Sequence, residues 1–242
     1  MEVAMKAMVY TRYGPPKDLN LEEVEKPAPK DDEVLIKVQA ASVTFGDLAA
    51  VKGEPFMVRL SLGLREPKYK ILGKDIAGQI EAVGANVKQF GPGDEVFGDI
   101  SGCGWGAYAE YVAVPENAIV FKPNNLTFQQ AAAVPESAVV ALQGLLDKGR
   151  IQPGQKVLIS GASGGIGTFA VQIAKSFGAE VTGVCSTRNL ELVRSIGAAH
   201  VIDYTKEDFA RNGQRYDLIL ATAGYRSIFD YQRVLSPKGN YV

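Results

Sequence analysis

Along VLIKV, Val34, Ile36 and Val38 alternate with Leu35 and Lys37, the two-residue period of a strand. DIAGQIEAVG (75–84), DEVFGDI (94–100) and YAEYVAVP (108–115) are further short strand-like runs. Gly and Pro punctuate them as GPP at 14–16, GPGD at 91–94 and GCGWG at 102–106. Many short strands with regular turn signals predict a barrel or sandwich over roughly the first 125 residues.

The pattern changes at Leu126. LTFQQAAAVPESAVVALQGLLDKG is Ala-rich, with Thr127 placed as an N-cap and Pro135 as a break between two helices. From Lys156 the rhythm is strand, helix, strand. KVLISGA predicts a buried strand, GIGTFAVQIAKSFG a helix ending at Gly178, and EVTGVC the next strand. NLELVRSIG follows as a helix ending at Gly197, then HVIDY, a short helix around Lys206 to Arg211, YDLILATA, the helix RSIFDYQRVL, and GNYV opening a further strand. Alternating β and α units predict a doubly wound parallel sheet. The expected domains are 1–125 and 126–242.

Composition narrows the function classes. The net charge is −1 and no stripe of Lys and Arg stands out, so nucleic acid is not an expected partner. No apolar run approaches the ~18–20 residues that span a bilayer, so no membrane is expected either. The opening MEVAMKAMVY lacks the apolar core and small-residue cleavage site of a secretory leader. Cys103 and Cys185 stand far apart and offer neither a disulfide framework nor a CxxC pair. The expected setting is reducing and cytoplasmic.

The most specific local signal is SGASGGIG, Ser160 to Gly167. A strand ends at its start and a helix begins within it. Gly164 lets the backbone approach a pyrophosphate, and Gly167 lets the helix pack close to the strand. The helix N-terminus then offers unpaired N–H groups to the phosphates. Against the G-x-G-x-x-G fingerprint, the six positions read ASGGIG, so Ala162 replaces the first glycine. The place of the loop inside a βαβ series is what gives the motif weight. The loop also fits the [ST]GxxxGxG pattern of short-chain dehydrogenases. That family needs a downstream YxxxK pair. Four places after Tyr204, Tyr216, Tyr225 and Tyr231 stand Asp208, Leu220, Phe229 and Leu235, and the chain ends before that place for Tyr241.

GQKVLISGASGGIGTFAVQIAK (154–175), ILGKDIAGQIEAVGANVKQFGPGDEVFG (71–98) and VCSTRNLELVRSIGAAHVIDY (184–204) together resemble the medium-chain dehydrogenase/reductase superfamily, in its zinc-free quinone oxidoreductase-like branch. The resemblance covers the whole chain. It implies an α/β protein: a GroES-like β-barrel domain, then a Rossmann domain, with the active site in the cleft between them. It also implies a longer parent. The chain reads as truncated in or after the fifth Rossmann strand, without the return segment that closes the barrel domain. Any homodimer is expected through a different edge from that of full-length relatives.

The site residues follow from the same reading. Ala162, Ser163, Gly164, Gly165, Ile166 and Gly167 are expected to bind the cofactor, with Ser186, Thr187, Arg188, Tyr204 and Ala223. NAD-preferring sites carry a carboxylate after the second strand, whereas Ser186, Thr187 and Arg188 stand there, so NADP(H) is the expected cofactor. The resemblance also brings in Lys175 as a neighbour of the adenosine phosphates. Zinc-dependent relatives use a Cys at about Thr44 and a Gly-His-Glu segment that here reads Gly73, Lys74, Asp75. With a single histidine, His200, and no four-cysteine lobe, no metal is expected. The resemblance implies hydride transfer to a quinone, an α,β-unsaturated carbonyl or a small aldehyde or ketone. Thr44, Asp47 and Val140 are the catalytic candidates, and Tyr69 and Trp105 could line the cleft. Three positions depart from the pattern: Thr44 stands for Asn, Glu136 for an apolar residue and Val140 for a threonine near the nicotinamide. These departures keep a second expectation open, a non-catalytic NADP(H)-binding protein.

Overall fold

The computed structural model describes residues 4–223 and 226–242. The chain forms two compact units, Met1–Glu136 and Ser137–Val242. Residues 1–3 of the stretch read for a leader lie outside the described residues, as does Tyr225.

The N-terminal unit contains β1 (Ala4–Val9), β2 (Asn20–Glu25), β3 (Glu33–Ala41), α1 (Phe45–Lys52), α2 (Met57–Leu62), β4 (Asp75–Val83), β5 (Glu95–Asp99), β6 (Tyr111–Pro115), β7 (Val120–Phe121) and α3 (Phe128–Ala132). Five strands form an antiparallel sheet in the order β6-β3-β4-β5-β7, and β1 and β2 form a separate antiparallel ribbon. Val34, Ile36, Ile76, Ile80, Val96, Val112 and Val114 make one buried cluster, the inward set expected of half-buried strands. β1 and β2, like α1 and α2, are additions to the sequence reading. The signal for β1 was present, because Met5, Ala7 and Val9 alternate as its buried positions.

Thr127 does cap α3: its Oγ1 accepts from the Gln130 N–H at 3.2 Å, and its own N–H donates to Gln130 Oε1 at 2.9 Å. Ala131 and Ala132 then pack with Ala77 of β4. The change in composition at Leu126 therefore marks a helix laid on the sheet, and the compact unit continues to Glu136. Pro135 opens α4 (Pro135–Leu142), where a ring without an N–H is tolerated. A π-helical turn, Gln143–Lys148, continues it.

The C-terminal unit contains β8 (Lys156–Ser160), α5 (Gly165–Ser176), β9 (Glu180–Cys185), α6 (Leu190–Ser195), β10 (His200–Asp203), β11 (Tyr216–Ala221), α7 (Ile228–Val234) and β12 (Leu235–Tyr241). The strands are parallel, in the order β10-β9-β8-β11-β12. That is the doubly wound 3-2-1-4-5 arrangement, with its direction of winding reversing between β8 and β11. Both faces are covered. Val157, Ile159, Val181, Leu218 and Leu220 belong to one core, and Leu158, Val184, Ile202 and Ile219 to the other. This is why the strands read as continuous apolar runs.

The helix expected over Lys206 to Arg211 is corrected to one 3₁₀ turn, Phe209–Arg211. Two side chains take the backbone out of the helix beforehand: Asp203 accepts from the Thr205 N–H at 3.0 Å, and Asp208 from the Ala210 N–H at 3.0 Å. The last strand begins at Leu235, ahead of GNYV, and its register against β11 shifts between Tyr216 and Leu218.

Candidate functional site

In the C-terminal unit, the expected loop has the expected form. β8 ends at Ser160, Gly161 turns the chain at φ 83°, and α5 starts at Gly165 with Gly164 as its N-cap. A Cβ at Gly167 would run into the Gly161 carbonyl and lie 2.8 Å from Ala162 Cα. That position is closed to any side chain, so the helix can sit against the strand end. Ser160 is fixed in turn: its carbonyl accepts from Thr222 Oγ1 at 2.8 Å, and its hydroxyl accepts from the buried Tyr231 at 3.1 Å.

A cavity of about 500 Å³ opens at the C-terminal ends of β8, β9 and β11. Of the cofactor candidates it brings together Ser163, Gly164, Ser186, Arg188, Tyr204 and Ala223. Ala162, Gly165, Ile166 and Gly167 lie behind the loop, in its turn and first helical residues, and do not line the cavity. Thr187 is committed elsewhere: its hydroxyl donates to Asp203 Oδ2 at 2.6 Å. That bond is the largest cause holding the Asp203 carboxyl below the usual carboxylate range. Lys175 is placed at the far end of α5, with its stem against Gly197, outside the cavity lining.

Arg226 and Asn189 are among the lining residues that the sequence reading does not pick out. Arg226 adds a second guanidinium, 5.6 Å above the Phe209 ring and 3.4 Å from Asp208. Asn189 donates from Nδ2 to Ser163 Oγ at 3.0 Å and to Ser186 Oγ at 3.3 Å, tying the glycine loop to the turn after β9. Arg226 had a signal: it follows β11, and loops after the strand ends of such sheets are where ligands bind. Among the described residues, no carboxylate lines the cavity. Two guanidiniums, the hydroxyls of Ser163 and Ser186, and the start of a twelve-residue helix make it suited to a phosphorylated anion.

The N-terminal unit holds a second polar centre, at the start of α1. Thr44 donates to Asp47 Oδ2 from both its N–H and its hydroxyl, each at 2.8 Å. These two catalytic candidates therefore come together, first of all as the two ends of a helix cap. Among the described residues, Asp47 Oδ1 is buried without a hydrogen-bond partner. Beside them is Lys74, whose side chain is only 8% exposed and whose Nζ is ion-paired with Glu136 Oε1. Glu136, a departure along the sequence, thus finds its partner in space in Lys74. Gly46 makes this possible, since a Cβ there would collide with Lys74 Nζ and lie 3.3 Å from Thr44 Oγ1 and 3.4 Å from Glu136 Oε1. Trp105 places its ring 5.5 Å from the same Nζ. It does so from φ 66°, between Gly104 and Gly106 at φ 119° and 123°.

Asp75 supports the centre from below. Its Oδ1 accepts from the Glu136 N–H at 3.1 Å and its Oδ2 from Ser42 Oγ at 3.0 Å. Burial nevertheless pushes its pKa up to about 6, aided by the charges of Asp99 and Glu136. Burial likewise raises the Tyr108 phenol, with Asp47 adding to the shift, while its hydroxyl donates to the Ser42 carbonyl at 3.0 Å. Val140, the third catalytic candidate, belongs to the other unit and is 42% exposed. Tyr69 and Trp105 line a separate open pocket of the N-terminal unit with Tyr111 and Lys68.

Comparison with known proteins decides the family. Residues 30–124 match the alcohol dehydrogenase GroES-like domain, and residues 165–242 match the zinc-binding dehydrogenase domain. A chloroplast envelope quinone oxidoreductase homolog of Arabidopsis thaliana is 34% identical, over 98% of this chain and 74% of its own length. The chain belongs to the quinone oxidoreductase-like branch of the medium-chain dehydrogenase/reductase superfamily. The structure of the quinone oxidoreductase from Coxiella burnetii matches this quinone oxidoreductase-like fold with a TM-score of 0.87 at 32% identity, over 98% of this chain and 74% of that one. An NADPH-dependent alkenal/one oxidoreductase of Arabidopsis thaliana, a chloroplastic protein, is 38% identical over 91% of this chain. The chain spans little over half, 58%, of that relative's length. Among the described residues, no helix is long and apolar enough to cross a membrane.

Proposed function

We propose that this chain is an NADPH-dependent, zinc-independent reductase acting on a quinone, an α,β-unsaturated carbonyl or a small aldehyde or ketone. One observation carries the reading: the cavity over the glycine loop presents Arg188 and Arg226 with Ser163 and Ser186, and no described carboxylate lines it. A carboxylate would repel a 2′-phosphate, whereas guanidiniums accept it in fork geometry. Gly164 keeps the loop backbone open to a pyrophosphate, because a Cβ there would have only the Gly161 carbonyl near it, at 3.4 Å. The reduced nicotinamide, when bound, supplies the hydride. The chain's own residues do the rest. Asn189 holds Ser163 and Ser186 in one orientation, Tyr231 and Thr222 fix the strand end under the loop, and Arg188 and Arg226 neutralise phosphate charge.

Zinc independence draws support from the polar centre at α1. Thr44 and Lys74 stand where zinc-dependent relatives of this superfamily place a Cys and a His. Thr44 is engaged by Asp47, and Lys74 carries an ammonium ion-paired to Glu136, which is no metal ligand. A conjugated acceptor takes hydride on carbon and needs only hydrogen-bond donors at its oxygen.

Calorimetric titration of the 242-residue protein with NADPH and NADH, followed by turnover with a panel of enones and quinones, tests the reading. Preferential NADPH binding with turnover is expected. NADPH binding without turnover of any acceptor would instead favour a non-catalytic nucleotide-binding protein, the reading that Val140 and Thr44 keep open. Self-association is a further expectation: β10 and β12 are the edges of the parallel sheet, and an unpaired edge templates another chain. A monomer mass at every concentration in sedimentation would remove it.

A further inference from the structure

We propose that Lys74 is a catalytic residue, the donor that meets the carbonyl oxygen of the acceptor, and that Glu136 is its positioning residue. The inference rests on the reductase reading and deepens it by naming the group that receives the developing negative charge.

Three observations converge on Lys74. Its ammonium has three N–H donors and, among the described residues, one hydrogen-bond partner, Glu136. Its side chain is almost wholly buried, so fewer waters compete for the remaining donors than on a surface lysine. The rim around it is open: Thr44, Gly46 and Glu136 are each only half-buried. A buried ammonium with unspent donors beside an accessible rim is a ready oxyanion site, because its charge is already oriented and partly desolvated.

The groups around it explain why a lysine is held there. Glu136 pins Nζ from one side, and Trp105 offers its ring face from another. Gly46 leaves Nζ the space that a Cβ would take. Nothing in the helix cap needs this arrangement, since Thr44 and Asp47 complete the cap by themselves.

As an enone takes up hydride at its β-carbon, the C=C π pair moves into the Cα–C bond and the carbonyl π pair moves to oxygen. That oxygen takes a proton from Lys74 Nζ, giving the enol and a neutral amine. Lys74 regains its proton from water at the half-buried Glu136 edge, and the enol tautomerises in solvent to the saturated ketone. The acceptor is reduced by two electrons, and the nicotinamide is oxidised by two. With a quinone the same proton ends on a hydroquinone oxygen.

The test compares Lys74→Met, Lys74→Arg, Glu136→Gln and the double variant Lys74→Met/Glu136→Leu with the wild-type 242-residue protein. The double variant guards against misfolding, because replacing both partners of a buried pair with apolar groups leaves no unpaired charge. Four quantities are read: kcat and KM with an enone and a quinone, the Kd for NADPH, and the visible absorbance of 4-nitrophenol on binding. The phenol oxygen stands for the developing enolate and turns yellow on ionising. Lys74→Met and the double variant are expected to lose kcat on the order of 100-fold, with the NADPH Kd within about twofold. Lys74→Arg should recover part of kcat, and Glu136→Gln should lower kcat more than it raises KM. Wild type should shift bound 4-nitrophenol toward the phenolate, and Lys74→Met should not. A folded double variant with wild-type kcat would overturn the proposal while leaving the reductase reading intact. A wild type that binds phenolate through Lys74 yet turns over no acceptor would support the oxyanion site and remove the reductase reading instead. Equal phenolate shifts in wild type and Lys74→Met would overturn the proposal in either case.

Discussion

The cavity over the glycine loop and the centre around Lys74 are built on opposite plans. In the first, backbone does most of the work: a strand end, a left-handed glycine and a helix start are arranged within Ser160 to Gly165, and side chains decorate the result. In the second, side chains do the work across long sequence distances. Lys74 meets Glu136 sixty-two residues away, and Ser42 meets Asp75 across thirty-three. A backbone-built site tolerates almost no change at its glycines but much at its rim. A side-chain site fails mainly by losing one partner of a pair.

The largest expected effect breaks the backbone plan. Gly167→Val puts a branched side chain into the Gly161 carbonyl and Ala162 Cα. It should cost about 3 kcal/mol or more and abolish NADPH binding, read by chemical denaturation and calorimetry. A variant as stable as wild type would show that α5 can move off β8 freely. Next, Glu136→Ala leaves a buried ammonium unpaired and should cost about 2–3 kcal/mol, below the range for a fully buried pair because Glu136 is partly exposed. Unchanged stability would mean that Lys74 finds another partner or swings to solvent.

Arg188→Ala comes next, and acts on the cavity alone. It should weaken NADPH by about 1.5–3 kcal/mol for a charge-assisted contact and NADH far less, as measured by titration. Equal losses would refute the assignment of Arg188 to the 2′-phosphate. A pH effect then sharpens the other side. The Asp75 pKa is about 6 in the folded protein, above the ordinary 3.8, so the folded state binds that proton more tightly than the unfolded chain. Its contribution is fully present below the unfolded pKa and is lost as pH rises through about 6. Asp75→Asn keeps an acceptor for the Glu136 N–H and removes the titration. Its stability relative to wild type should therefore rise by about 1–2 kcal/mol between pH 4 and pH 8. A fall over that interval would reverse the assignment. The smallest effect is Asn189→Ala, which unties Ser163 from Ser186 and should weaken NADPH by about 1 kcal/mol with little change in melting temperature.

The contrast also explains what could be read from the chain. The parallel sheet was legible from Lys156 onward because period, glycine caps and strand runs are local signals, and Gly178 and Gly197 sit at positive φ after their helices as expected. The glycine loop was legible for the same reason. The ribbon β1–β2 and the helices α1 and α2 were not, although Thr44 and Asp47 three places apart carry a capping signature. Thr187 was assigned to the cofactor because it follows β9, and only the fold shows Asp203 reaching across to take its hydroxyl. Glu136 reads as a departure from the family pattern, and Lys74 as the residue at the His place of zinc-dependent relatives. Their meaning lies in a contact between residues that no short window contains.

Trp105 is the only tryptophan in the chain, and it faces the ammonium of Lys74. An indole excited beside a positive charge changes its emission when that charge moves or is neutralised. The protein therefore carries its own optical gauge at the side-chain pair proposed to meet the acceptor, with no label to attach and no second indole to blur the reading.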